Sequence, residues 1–227
     1  MRIVFFGDSL TQGTTGVNYV DKVAVAFPAH EIINRGVNGD TSLNLYRRVQ
    51  ADVLDLRPAA VFVMVGINDA LSVAEAGLRP YYRLAKGVPG GLMGAAAFRE
   101  NLQAILSKVL TAGIKPVVAL PPVEYRPATV EALRQNNAFA SDVCAELQIP
   151  VLDVFAALVP ASVPDRATVG LKFFKQSMVA SFRGKAAYDQ LRQDSGYAYS
   201  FDGIHLTEIG AAALAAQIIP FLQAQGL

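Results

Sequence analysis

The strongest constraint on how this chain folds is an alternation. Short apolar runs at Arg2–Phe6, Glu31–Asn34, Ala59–Val65, Lys115–Leu120 and Val151–Asp153 read as strands. Between them apolar residues recur at helical spacing: Val20, Val23, Ala24 and Phe27 share one face, as do Phe98, Leu102, Ile105, Leu106 and Val109. Gly113 is placed to end that second helix, and Thr207 with Glu208 to begin the last one. Strands separated by helices imply a parallel sheet covered on both faces. The pattern predicts an α/β fold: a flavodoxin-like three-layer α/β/α domain with a five-stranded parallel sheet in the order 2-1-3-4-5, spanning residues 1–227 as one unit. With 52% hydrophobic and 17% charged residues, the chain has ample material for that core.

In such sheets ligands gather beyond the carboxyl ends of the strands, beside strand 1. The first three strands end in Gly7-Asp8-Ser9, in Asn34-Arg35-Gly36 and in Gly66-Ile67-Asn68. In the expected order strand 1 lies between strands 2 and 3, which brings Ser9, Gly36 and Asn68 together. A hydroxyl nucleophile needs such a meeting: the N–H groups of Ser9 and Gly36 and the Asn68 amide would surround a developing oxyanion. A base is offered by "FDGIHLTEIG", where Asp202 and His205 stand three apart just before a helix. That spacing lets the carboxylate hold one ring nitrogen while the other faces a serine. Each piece alone has a plainer reading. Ser9 reads as a helix cap, His205 as a structural histidine, and Asn68-Asp69 as a turn former. Only their occurrence together, in order and at strand ends, outweighs those readings.

Four segments carry a resemblance: "GDSLTQG" around Ser9, "NRGVNGDTS" around Gly36, "GIND" around Asn68 and "DGIHLT" around His205. Together they resemble the four blocks of the SGNH (GDSL) hydrolase family, from residue 7 to 210. The resemblance implies a Ser9–His205–Asp202 triad, an oxyanion hole from Ser9, Gly36 and Asn68, and a metal-free ester or thioester hydrolase without cofactor.

Two stretches break the simple alternation, 71–97 and 160–200, and both are expected as long loops on the face that holds the site. Tyr81, Tyr82, Leu92 and Met93 from the first and Phe173 and Phe174 from the second are candidates to line an acyl pocket, with ordinary packing as the alternative. The second stretch carries six basic and three acidic residues among Leu171, Met178, Val179 and Phe182, and reads as a lid or pocket wall.

Other candidates point to structure. Cys144 shares a face with Ala140, Val143 and Leu147 and reads as a core thiol; His30 enters strand 2 at its amino end. Asp153 is a rival triad acid that more naturally caps the next helix, and Asp8 reads as a turn holder. One cysteine and two histidines leave little for a metal site. Twenty basic against nineteen acidic residues give no sign of a nucleic-acid partner, and no apolar run is long enough to insert in a membrane. The expected partner is a small-molecule ester, and the expected location, without a leader in the chain, is cytoplasmic. Two alternatives remain open. The same triad would serve an acyltransferase, and "GDSLTQGTTG" at a helix start would suit a phosphate- or nucleotide-binding module, though it lacks a phosphate-loop lysine.

Overall fold

The computed structural model describes residues 1–169 and 185–227. Five parallel strands, β1 (Arg2–Gly7), β2 (Glu31–Gly36), β3 (Ala60–Met64), β4 (Lys115–Leu120) and β5 (Val151–Asp153), form one sheet in the order β2-β1-β3-β4-β5. The three central strands are almost wholly buried, and β2 and β5 at the edges are partly exposed. Burial on both faces explains why the central strands read as unbroken apolar runs rather than alternating ones.

Register decides what lies at the carboxyl ends. Gly7 pairs with Gly36 on one side and with Met64 on the other, so β1, β2 and β3 end level with one another. Their next residues open the short helix α1 (Ser9–Gln12), the loop to α3 (Ser42–Val49) and helix α4 (Ile67–Ala74). Helix α2 (Tyr19–Ala26) lies between β1 and β2 in sequence.

The stretch 71–97, expected as a loop, is instead a compact helical excursion. Single 3-10 turns at Ala76–Leu78 and Pro89–Gly91 bracket α5 (Arg79–Ala85). Pro80 sits in its first turn, where the missing N–H is no loss. Leu78, Tyr82, Val88 and Met93 are buried, which is what holds the excursion down. Helix α6 (Ala95–Thr111) then packs on α3, and α7 (Pro127–Glu146) packs on α4 and α6.

After β5 come α8 (Val154–Leu158), α9 (Lys185–Ser195) and α10 (Glu208–Ala224), the last packing on α2 and α8. Thr207 caps α10, its side chain accepting from Gly210 N–H as its sequence position suggests. Phe173 and Phe174, with Leu171, Met178, Val179 and Phe182, lie outside the described residues. Among the described residues no helix is long and apolar enough to cross a membrane.

Candidate active site

Helix α1 is a single turn, and its geometry is set by Asp8. The Asp8 carboxylate accepts from Leu10 N–H at 3.1 Å, which caps the turn and places Ser9 at its head. As first residue of the helix, Ser9 has a backbone N–H with no intrahelical partner, and no hydrogen bond from it is made to a described residue.

The Ser9 hydroxyl is 3.2 Å from His205 Nε2. On the far side of the ring, His205 Nδ1 lies 2.8 Å from Asp202 Oδ2. A carboxylate accepts and does not donate, so Nδ1 carries the proton and Nε2 is left free to accept from the serine. Asp202 is held in turn by Ile204 N–H at 3.0 Å and His205 N–H at 2.8 Å, both on Oδ1. Gly203 between them has φ +90, and a Cβ there would stand 2.6 Å from Tyr125 Cα, so this tight turn admits only glycine. Burial alone would lower the His205 pKa. The Asp202 carboxylate, by charge and hydrogen bond, and Asp8 by charge outweigh it, so the net shift is upward.

Asn68 is the second residue of α4 and is buried. Its amide nitrogen donates to the Asp40 backbone oxygen at 3.0 Å and approaches Asp8 Oδ2 at 3.5 Å. Tyr82 O–H donates to the amide oxygen at 3.0 Å. Tyr82 is 1% exposed, so the expectation that it lines an acyl pocket is corrected: it is a buried prop that fixes which way the Asn68 amide points. Its neighbour Tyr81 is half-buried. A Cβ added at Gly39 would stand 2.1 Å from the Tyr81 hydroxyl, which therefore lies directly over Gly39.

Gly36 also needs correction. Its N–H donates to Asn34 Oδ1 at 2.9 Å and is not free for a substrate oxygen. It is glycine because a Cβ would come within 2.0 Å of Gln12 N, where the end of β2 passes α1. Three residues on, Gly39 makes no hydrogen bond from its N–H to any described residue, and it adjoins the Asp40 carbonyl that Asn68 grips.

Asp40 itself is clamped by Lys86 at 2.9 Å and Arg48 at 2.7 Å, and Asp69 is buried against Ser42. Burial pushes the Asp8 carboxyl up to about 7, the Leu10 N–H and His205 opposing and Asp69 and Asp40 adding. Asp69 is likewise pushed up to about 6 by burial, against the hydrogen bonds from Ser42. Asp153 is exposed and caps α8 through Ala156 N–H at 2.8 Å. Cys144 is buried, its thiol pushed up to about 12 by desolvation, as suits a core residue.

The family model described as GDSL-like lipase/acylhydrolase matches residues 5–213. The chain belongs to that family. It is a serine hydrolase acting on ester bonds. Its relatives include the uncharacterized lipoprotein YqeF of Bacillus subtilis (strain 168), 28% identical over an alignment 181 residues long that covers 66% of this chain and 69% of that protein. Among solved structures, the acetyl xylan esterase AlAXEase superposes with TM-score 0.64 at 19% identity, covering 96% of this chain and 98% of the other. The lipase/acylhydrolase from Enterococcus faecalis gives TM-score 0.63 at 22% identity, covering 99% and 96%. Axe2, an acetylxylan esterase from Geobacillus stearothermophilus, gives 0.65 at 16% identity, covering 97% and 93%. These likenesses establish the shared five-stranded α/β architecture.

Proposed function

We propose that this GDSL-family hydrolase cleaves carboxylic esters through a Ser9–His205–Asp202 triad and an acyl-enzyme. The observation that carries the reading is the unbroken hydrogen-bonded line from Ser9 Oγ to His205 Nε2 at 3.2 Å and from His205 Nδ1 to Asp202 at 2.8 Å. Ser9 Oγ attacks the acyl carbonyl while His205 takes its proton at Nε2. Asp202 keeps the ring in the tautomer that can do so and stabilises the imidazolium. The same proton then passes to the departing alkoxide, and water repeats the sequence to release the acid.

The negative charge that builds on the carbonyl oxygen is met by Ser9 N–H, by Gly39 N–H, which takes the part first assigned to Gly36, and by the Asn68 amide hydrogen that exchanges its long 3.5 Å approach to Asp8 for the oxyanion while the other stays on Asp40 O. Donors already in position cost no reorganisation during the reaction, and losing one typically lowers kcat by about 10²–10³. Asp8 and Tyr82 act through these groups by fixing α1 and the Asn68 amide. The acyl esterases among the structural neighbours favour a small acyl group, such as acetyl on a sugar hydroxyl, as the first substrate class to try.

A serine-directed organophosphonate should label Ser9 and no other residue by peptide mapping. Ser9→Ala should remain folded and lose nearly all turnover. Hydrolysis by folded Ser9→Ala at the wild-type rate would refute the mechanism. A chain-length series of p-nitrophenyl esters, run beside acetylated sugars and acyl thioesters, assigns the substrate.

A further inference from the structure

Between β4 and α7 the chain runs through "PPVEYR", residues 121–126, and its glutamate has an unusual setting. Glu124 is 2% exposed. Among the described residues no Lys, Arg or His pairs with it. Its carboxylate is instead filled by one short stretch of chain. Oε2 accepts from Ala198 N–H at 2.8 Å, and Oε1 accepts from Tyr199 N–H at 3.0 Å, Ser200 N–H at 2.8 Å and the Ser200 hydroxyl at 2.6 Å. A buried carboxylate is tolerable only when such donors replace its water, and hydrogen bonds to a charge are about twice as strong as neutral ones.

The same strand of loop grips the next residues as well. Glu124 N–H donates to the Gly203 carbonyl at 3.0 Å, and the Ser200 hydroxyl accepts from Gly203 N–H at 3.0 Å. Residues 198–200 and residue 203 are thus tied to one side chain and its own backbone. The residues enclosed by those ties are Phe201 and Asp202, and His205 follows two places on, bonded back through Phe201 N–H to His205 O at 3.1 Å.

A second buried carboxylate provides the comparison. Glu75 is fully buried and accepts from Arg126 at 2.6 Å, Thr129 at 2.8 Å and Val169 N–H at 2.8 Å. It holds the connection that leads from β5 to the histidine at Val169, and makes no hydrogen bond to 198–205. Two buried acids therefore hold one connection at two places, Val169 and 198–203, and only one of them holds the Asp202–His205 turn.

We infer that Glu124 is a positioning residue for the acid and base of the reaction, its carboxylate serving as the template on which the turn carrying Asp202 and His205 is moulded. The inference rests on the triad reading above. Replacing the carboxylate by an amide keeps its size but puts an NH₂ donor against N–H donors, so at least one of the ties is lost and the turn shifts. Misplacing a reacting group by about 1 Å through a mutation outside the chemistry lowers rate by up to about 10²-fold. Substrate contacts are untouched, so the loss falls on kcat.

The test is Glu124→Gln beside Glu75→Gln, with kcat, KM and the pH-rate profile measured on a p-nitrophenyl ester. Glu124→Gln should lower kcat by about 10- to 100-fold with KM within about twofold of wild type. The groups whose charge faces His205 are Asp202 and Asp8. Loosening the Asp202 contact should therefore move the acidic limb of the profile down, toward the ordinary histidine value of about 6.5. Glu75→Gln should lose thermal stability and keep the wild-type limb. Should Glu124→Gln fail to fold, Ser200→Ala removes the hydroxyl link to Glu124 and to Gly203 and should show the same two changes at smaller size. Wild-type kcat and limb in either folded variant, or equal displacement of the limb by Glu75→Gln, would overturn the inference. Organophosphonate labelling of wild-type Ser9 separates the failures: absence of labelling defeats the triad reading itself, whereas labelling with an unmoved limb defeats only the role of Glu124.

Discussion

Tyr82→Phe removes one oxygen atom, and the structure says where the effect must appear. The hydroxyl donates to Asn68 Oδ1 at 3.0 Å, and with Tyr82 1% and Asn68 6% exposed the acceptor left behind is buried. Stranding a buried acceptor costs about 1–3 kcal/mol of stability. The catalytic effect is separate. With its oxygen end released, the amide is held only at nitrogen, by Asp40 O at 3.0 Å and Asp8 at 3.5 Å, and it can rotate away from the oxyanion. Complete loss of that donor, as in Asn68→Ala, is worth about 10²–10³ in kcat. Partial misorientation should give about a tenfold fall, or roughly 1.4 kcal/mol. Steady-state kinetics on both single variants and the double variant decide the matter. Because Tyr82 acts through Asn68, Tyr82→Phe should cause no further loss in the Asn68→Ala background, giving a coupling close to the whole tenfold effect. A folded Tyr82→Phe enzyme with wild-type kcat, or a tenfold loss that persists without the Asn68 amide, would refute this account.

The upward shift of His205 predicts that kcat/KM rises with pH along an acidic limb centred above about 6.5, because only the unprotonated Nε2 can accept from Ser9; a limb below that value in wild type would contradict the electrostatics. Asp202→Asn should damage turnover severely, whereas Asp153→Asn, at an exposed cap of α8, should leave kcat within about twofold; kinetics on the pair distinguish the two acids. Asp8 has its folded pKa raised from 3.8 to about 7, so the stability linked to its proton is present below about 4 and is lost as pH rises through about 7. Those three pH units correspond to about 4 kcal/mol, so Asp8→Asn, which keeps a capping oxygen, should gain melting temperature relative to wild type between pH 4 and 8; a pH-independent difference would show that Asp8 is not protonated on folding.

The central strands were legible because β1, β3 and β4 are buried on both faces, which forces continuous apolar runs such as Ile3–Phe6, and their order followed by analogy with flavodoxin-like sheets. The partners Ser9, His205 and Asp202 were legible because chemistry demands particular residue types at strand ends and at a fixed spacing. Gly36 illustrates what strand ends alone leave open. It pairs with Gly7, two residues short of Ser9, so a backbone group meant to serve Ser9 has to come later in the loop, which is where the proposed donor Gly39 stands. Reading β2 as ending at Asn34 instead of Gly36 hid that offset. The excursion over 76–91 was missed because its helices are too short to show a period, and burial of Leu78 and Tyr82 is a tertiary fact. Glu124 had no signal at all: a glutamate between Val123 and Tyr125 looks like loop surface until residues 198–200 fold over it.

Ser9 and His205 are 196 residues apart in the chain, and the turn bearing His205 is stitched to the loop after α1 by Val17 N–H donating to Leu206 O at 2.9 Å. On the proposed mechanism, activity waits for this long-range contact. During synthesis at about 5–20 residues per second, Ser9 emerges roughly ten to forty seconds before the residues that activate it. Through that interval the nascent chain carries an ordinary serine, and it acquires a reactive one only when the two ends of the domain close on each other. In refolding, ester turnover should accordingly lag the return of helical signal, because so long a loop must close before the hydroxyl meets its base.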